Sequence, residues 1–232
     1  MSDTTERWQS RAVADSYDAE RFCGPIGRWF DRAQKRALSR CLTCLGSGRV
    51  LADVPCGTGR MFPVLSRAAG LCIGLDVSVA MMAKARCREG SDRFRLVCAD
   101  ARALPMADAS VDCVVSVRFA MHLASDERVA ILREFGRVSR RWVVVEYGYD
   151  SAWHRIRGWM RTVLLWLGGR TRTYPQATLG RQIEEEARQA DLHITDSFWT
   201  LPILSQSTLV VMAKTVASQD PGPSRSAAEP RR

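Results

Sequence analysis

The chain lacks any long apolar run. None of its stretches reaches the roughly 18 consecutive apolar residues that a membrane-spanning helix needs, so no spanning segment is expected. The opening residues, MSDTTERWQS, carry no apolar signal core. Histidine is scarce, with three in 232 residues. Cys41 and Cys44 form a lone CxxC without a second pair or a histidine pair beside it, so a metal site is not expected. The eight cysteines do not read as a disulfide framework in a chain of this length. Several sit in apolar runs (Cys72, Cys98, Cys113), where a thiol behaves as a small hydrophobe. A reduced, cytoplasmic protein is the expectation. Acid is also in deficit: 34 Lys and Arg against 25 Asp and Glu leave a net charge of +9. That balance suits nucleic acid or anionic lipid, and equally a solvated, arginine-rich surface.

What is present is a core. A hydrophobic content of 46% over 232 residues suits one globular domain with a helical cap. Residues 1–45 read as that cap and 46–215 as the main domain. Residues 216–232 are Ser, Pro, Ala and Arg without an apolar period, and are expected to be disordered.

The chain is organised around VLADVPCGTGR, Val50 to Arg60. Val50 to Val54 is an apolar run broken only by Asp53, the pattern of a buried parallel strand. It stops at Pro55, which cannot donate to a ladder. Gly57 and Gly59 follow, then a predicted helix. Strand, glycine turn and helix together plan a nucleotide-type site: glycine allows close backbone approach, and the new helix offers free N–H groups. A second apolar run, Leu71 to Leu75, ends at Asp76, 19 residues beyond Gly57. That is close to the spacing at which a carboxylate takes a ribose hydroxyl pair. A nicotinamide GxGxxG would need glycine at Phe62, and none is there.

These motifs, LADVPCGTGR, then GLDVS, then CADARALPMADASVDCVVS, resemble the class I S-adenosylmethionine (SAM)-dependent methyltransferases, and within them the small-molecule and lipid-quinone branch. The resemblance is close over about residues 45–150. It implies an α/β, Rossmann-like, doubly wound sheet of seven strands, mostly parallel with an antiparallel C-terminal hairpin. It also implies SAM as cofactor and a small-molecule or lipid-like acceptor. The turn Asp53, Pro55, Cys56, Gly57, Thr58 and Gly59 would then cradle the amino-acid end of SAM, with Asp53 supporting it. Asp76 would hold the ribose, Val77 and Met81 would pack on adenine, and Asp100 with the Ala101 N–H would read the adenine edge. Tyr17, with Arg21, would lie near the methionine end; the alternative is that Tyr17 packs its helix down. Pro55 departs from the family, which more often has a glycine there.

The remaining elements follow from periodicity. Helices are predicted at 9–21, at 26–45, with Ile26, Trp29, Phe30, Ala33, Ala37, Leu38, Cys41 and Leu45 as its packing positions, at 61–69, 78–88, 125–138 and 178–190. Ser78 can cap its helix. Strands are predicted at 94–98, 111–117, 142–147, 193–200 and 208–214. The fourth strand ends in Ser116 to Phe119, which should face the reacting methyl, because ligands sit beyond the carboxyl ends of such strands. His122 follows. It can be a general base, with an unperturbed pKa of about 6.5, or a hydrogen-bonded supporting residue. Before the fifth strand the family commonly has Pro-Gly-Gly, and this chain has VSRRW.

Ser151 to Pro175 holds five arginines, three tryptophans and no acid. It reads as an inserted amphipathic helix. In the family this region builds a substrate lid; a basic, tryptophan-rich helix can also lie in a membrane interface. Two further readings stay open. Charge suggests an RNA methyltransferase or nucleic-acid-binding protein, against which SVRFAM stands where base-amine methylases carry Asn/Asp-Pro-Pro-Tyr. A non-catalytic scaffold is the other, against which the glycines and acids are intact. Composition says nothing of oligomeric state.

Overall fold

The computed structural model describes residues 24–46, 49–148, 178, 180–201 and 207–214. The predicted helix at 9–21, the insert at 151–175 and the tail from 216 lie outside them. The described elements are α1 (Pro25–Leu45), β1 (Arg49–Asp53), α2 (Phe62–Ala68), β2 (Ala69–Asp76), α3 (Val79–Ala85), β3 (Phe94–Cys98), β4 (Val111–Ser116), α4 (Ser125–Val138), β5 (Ser139–Gly148), α5 (Gly180–Gln189), β6 (Leu192–Trp199) and β7 (Ser207–Lys214), with short 3-10 turns at Ser91–Arg93 and Ala120–His122. No helix among the described residues is long and apolar enough to cross a membrane.

The strands form one sheet in the order β3-β2-β1-β4-β5-β7-β6. The first five are parallel. β7 runs antiparallel to β5 and to β6, so the C-terminal pair closes the sheet as a hairpin. Side chains alternate across it with the two-residue period of a strand. Val143, Val145, Val210 and Met212 join the core under α4 and α5, with Leu132, Phe135 and Ile183. Val144, Leu209 and Val211 join the core on the other face, with Leu38, Phe62 and Leu65. Strand order reverses between β1 and β4, which opens a crevice at their carboxyl ends.

Several details differ from the sequence reading. β5 starts at Ser139 instead of Trp142, directly from the end of α4. Ser139 is wholly buried and pairs with Val111, and a register shift before Cys113 lets that residue meet Trp142. In VSRRW, Val138 therefore ends α4 and Ser139 to Trp142 are strand, not turn. β2 likewise starts at Ala69 instead of Leu71, so Ala69 leaves the helix. On α1 the buried positions are Gln34, Ala37, Leu38, Cys41 and Leu42. Ile26 and Trp29, expected in the core, are 81% and 47% exposed, and no described residue before Gln34 is fully buried.

Two buried carboxylates hold the layers together. Glu146, wholly buried on β5, accepts hydrogen bonds from Gln34 Nε2 of α1, from Ser207 Oγ of β7 and, at 2.8 Å, from the backbone N–H of Arg118. Glu186 of α5 takes a fork from Arg128 of α4, Nε to Oε2 at 2.9 Å and Nη2 to Oε1 at 2.6 Å. Ser125 Oγ donates to the same carboxylate at 2.7 Å, and Arg128 Nη1 donates to the Leu123 carbonyl at 2.7 Å. The pair thus also braces the turn that carries His122. Burial makes the loss of one partner costly, since the other charge stays in place unmatched. Glu186→Ala should lower unfolding free energy by about 3–5 kcal/mol in urea titration; a loss below about 1 kcal/mol would place the pair with exposed ion pairs instead.

Candidate functional site

The floor of the crevice is acidic. Asp53 ends β1 and Asp76 ends β2, and both are buried. Asp76 Oδ2 accepts the Gly57 N–H at 2.7 Å and its Oδ1 accepts the Ser78 N–H at 2.8 Å. Burial pushes its pKa up, and those N–H groups pull it back. Asp53 is pushed up to about 8, by burial first and by the neighbouring Asp76 carboxylate second, with Arg60 opposing.

The turn between β1 and α2 is stitched to the sheet on both sides. Val54 donates to the Val115 carbonyl at 2.9 Å and Cys56 to the Leu75 carbonyl at 2.8 Å. Gly57 has a φ of +53°, and a side chain there would meet nothing within 4 Å, so its backbone faces open space. Gly59, at φ +72°, has the opposite role: a Cβ would stand 2.9 Å from the Phe62 ring. It lets α2 close on the turn and does not line the crevice. Phe62 and Leu65 donate within the turn, to the carbonyls of Gly59 and Met61, and Pro63 has no N–H. The expected cradle of free helix amides is therefore largely used up locally. Carboxylates and the open face of Gly57 take its place.

The opposite wall comes from the end of β4. Val117, Arg118 and Phe119 line the crevice, and His122 follows from the 3-10 turn. Arg118 adopts φ +59°, and its N–H is held by the buried Glu146. The cleft, with the open solvent at its mouth, spans about 780 Å³ between Asp53, Gly57, Arg60, Met61, Met81 and this wall. A second lobe of about 630 Å³ is continuous with it through Pro55, Asp76, Val77, Phe119 and His122. Asp100, Ala101, Arg102 and Glu127 line that lobe.

Most of the residues picked from sequence therefore meet in one place. Asp53, Pro55, Cys56, Gly57, Thr58, Asp76, Val77, Met81 and His122 surround the main cleft, and Asp100 and Ala101 its second lobe. Tyr17 lies outside the described residues. Ser116 is buried behind the wall and lines a smaller cavity with Phe119, Arg128 and Tyr147. Asp100 is paired: Arg102 Nη2 reaches Oδ2 at 2.7 Å and Nε reaches Oδ1 at 3.0 Å, and this holds its pKa below the usual range. Arg60 and Met61 were missed, although their place directly after the glycine turn was the available signal. The positive φ of Arg118 leaves no mark in sequence.

The raised pKa of Asp53 has a sign that can be checked. The folded chain holds this proton up to about pH 8, whereas an unfolded aspartate releases it near about 3.9. Stability from this group is full below pH 4 and is lost as pH rises through 8. Asp53→Asn should flatten that decline, so its melting midpoint should gain on the parent's steadily from pH 5 to pH 9. Parallel curves would mean that Asp53 is already ionised at neutral pH.

Comparison with known proteins agrees with this geometry. Residues 52–142 match the family model described as a methyltransferase domain. The malonyl-[acyl-carrier protein] O-methyltransferase of Pectobacterium atrosepticum is 29% identical over 169 residues, which are 68% of this chain and 64% of that protein. The demethylmenaquinone methyltransferase of Corynebacterium urealyticum is 31% identical over 130 residues, 56% of this chain and 52% of that one. The matches thus span less than two thirds of either relative's length. The crystal structure of magnesium protoporphyrin IX methyltransferase from Synechocystis PCC 6803 with bound SAH shares the fold, with a TM-score of 0.72 at 13% identity over 91% of this chain and 98% of that one. Residues 52–142, which build β2 to β4 and the crevice at their ends, are thus the part of the chain that matches the methyltransferase-domain model.

Proposed function

We propose that the protein is a SAM-dependent methyltransferase acting on a small-molecule or lipid-like acceptor. The observation that carries this reading is the meeting, in one cleft, of the acidic floor of Asp53 and Asp76 with the apolar side chains of Met81, Val117 and Phe119. When bound, SAM supplies a methyl group on a positively charged sulfur. Asp53 and Asp76 suit a cationic, hydroxyl-bearing ligand, and the open face of Gly57 leaves room for its amino-acid end. Val77 and Met81 offer apolar packing to adenine, while Asp100, steadied by Arg102, offers an acceptor at the adenine edge.

Transfer of this kind is a displacement, so the chain's main tasks are alignment and exclusion of water. Val117 and Phe119 supply the apolar side for an acceptor, and His122 stands in both lobes. We assign His122 the proton released by a hydroxyl acceptor. Of the two relatives, one is named for malonyl-[acyl-carrier protein] and the other for demethylmenaquinone, and the second supports a lipid-like acceptor.

The test is thermal. SAM at 100 times its dissociation constant adds about 2.7 kcal/mol, which should raise the melting midpoint by roughly 5–11 °C. The demethylated product should do the same and NADH should not. Asp76→Ala should abolish both shifts; near-native affinity in that variant would remove Asp76 from the ligand. His122→Gln should keep the SAM shift and lower turnover about 10²–10⁴-fold on a hydroxyl acceptor found by screening quinones and lipids. Unchanged turnover would leave His122 a supporting residue only.

A further inference from the structure

The exposed side of α1 has a composition that its packing does not explain. Arg28, Arg32, Arg36 and Arg40 recur every fourth residue and all are exposed. Residues four apart are neighbours on a helix surface, so they form one ridge about 18 Å long. No acid is exposed along it: the helix's one acid, Asp31, is half-buried and engaged with Lys35 at 2.8 Å and Arg60 at 2.6 Å. Trp29 lies on this same side, three residues before Arg32, with Ile26 one turn earlier. These are among the largest exposed apolar side chains of the described residues. Periodicity alone would have put both in the core.

We propose that this face of α1 is a docking surface for an anionic lipid bilayer. The guanidinium groups of Arg32, Arg36 and Arg40, with no acid of α1 exposed among them, complement a surface of lipid phosphates. The two apolar side chains at one end decide for a bilayer over a dissolved polyanion. A headgroup region accepts an indole and an isoleucine without a shaped partner, while the arginine stems lie along it with their charges at the phosphates. The placement has a functional sense. Arg60 lines the cleft and is bonded to Asp31, so the N-terminal half of α1 stands at the cleft's rim. A bilayer seated there would present an amphiphilic acceptor beside the opening.

The test is binding of the full chain to vesicles, read by co-sedimentation without cofactor or turnover, so its failure would leave the methyl-transfer reading standing. Vesicles of phosphatidylcholine with phosphatidylglycerol in equal parts should bind the protein, and phosphatidylcholine alone should not. Added salt should release it. Arg32→Gln with Arg36→Gln should weaken binding about 30-fold, from the contribution of each basic residue near a charged membrane. Trp29→Ser should weaken it at any salt concentration. All three sites are exposed, and an unchanged melting midpoint confirms that the variants fold. Vesicle binding that the double variant retains in full would overturn the assignment to α1. Absent vesicle binding, with salt-sensitive binding to RNA or polyglutamate, would overturn it in favour of a polyanion in solution.

Discussion

The carboxylate of Asp76 is the point on which the crevice depends. It stands at the end of β2, buried, and two backbone amides converge on it. Gly57 belongs to the turn leaving β1, and Ser78 to the loop that opens α3. Ser78 then caps α3 by accepting the Met81 N–H at 3.3 Å. One side chain so fixes the exits of two neighbouring strands and the start of a helix. Hydrogen bonds to a charged acceptor contribute about 1.5–3 kcal/mol each, and low local dielectric strengthens them. The group that would recognise a ligand is therefore also the group that shapes its site. That coupling explains why Gly57 can be held at a positive φ beside open space: its N–H is anchored from below.

Asp53 shows the cost of this arrangement. Its carboxylate shares a dry floor with Asp76, and two negative charges there oppose each other. The fold answers by keeping Asp53 protonated up to about pH 8. A positively charged ligand would reverse that balance, because it interacts favourably with both carboxylates in their ionised form. The acids are thus poorly accommodated without a cation and well accommodated with one, which is a physical argument for the charge class of the ligand independent of any resemblance.

Much of this was legible in the chain. The apolar run of β3 and the helical period of α4 emerge with the ends that each pattern predicts. The glycine turn and the two acids were visible because type and spacing carry them. Other features depend on partners distant in sequence. Nothing near Ser139 signals that it will pair with Val111 and become strand. Ser116 and Val117 differ only in which side of the strand end they face, and one residue of parity sends Ser116 behind the wall. Asp100 was read as an adenine acceptor without the rotamer that brings Arg102 onto it. On α1, the apolar period located the stripe and not the extent of the surface beneath it, so Ile26 and Trp29 were assigned to a core that stops at Gln34.

The net charge of +9 and the acidic floor appear to conflict only if charge is treated as a single number. Exposed charges are screened over about 8 Å at physiological salt, whereas buried ones are screened far less. A ligand inside the cleft therefore meets Asp53 and Asp76, and a surface approaching from outside meets the arginines. Asp31 stands at the boundary. By engaging Arg60 and Lys35 it offsets part of the positive charge at the cleft rim, while Arg60 still draws the Asp53 pKa down. The chain can in this way favour a cation in its interior and an anionic surface on its exterior, with the two fields separated by the width of one helix.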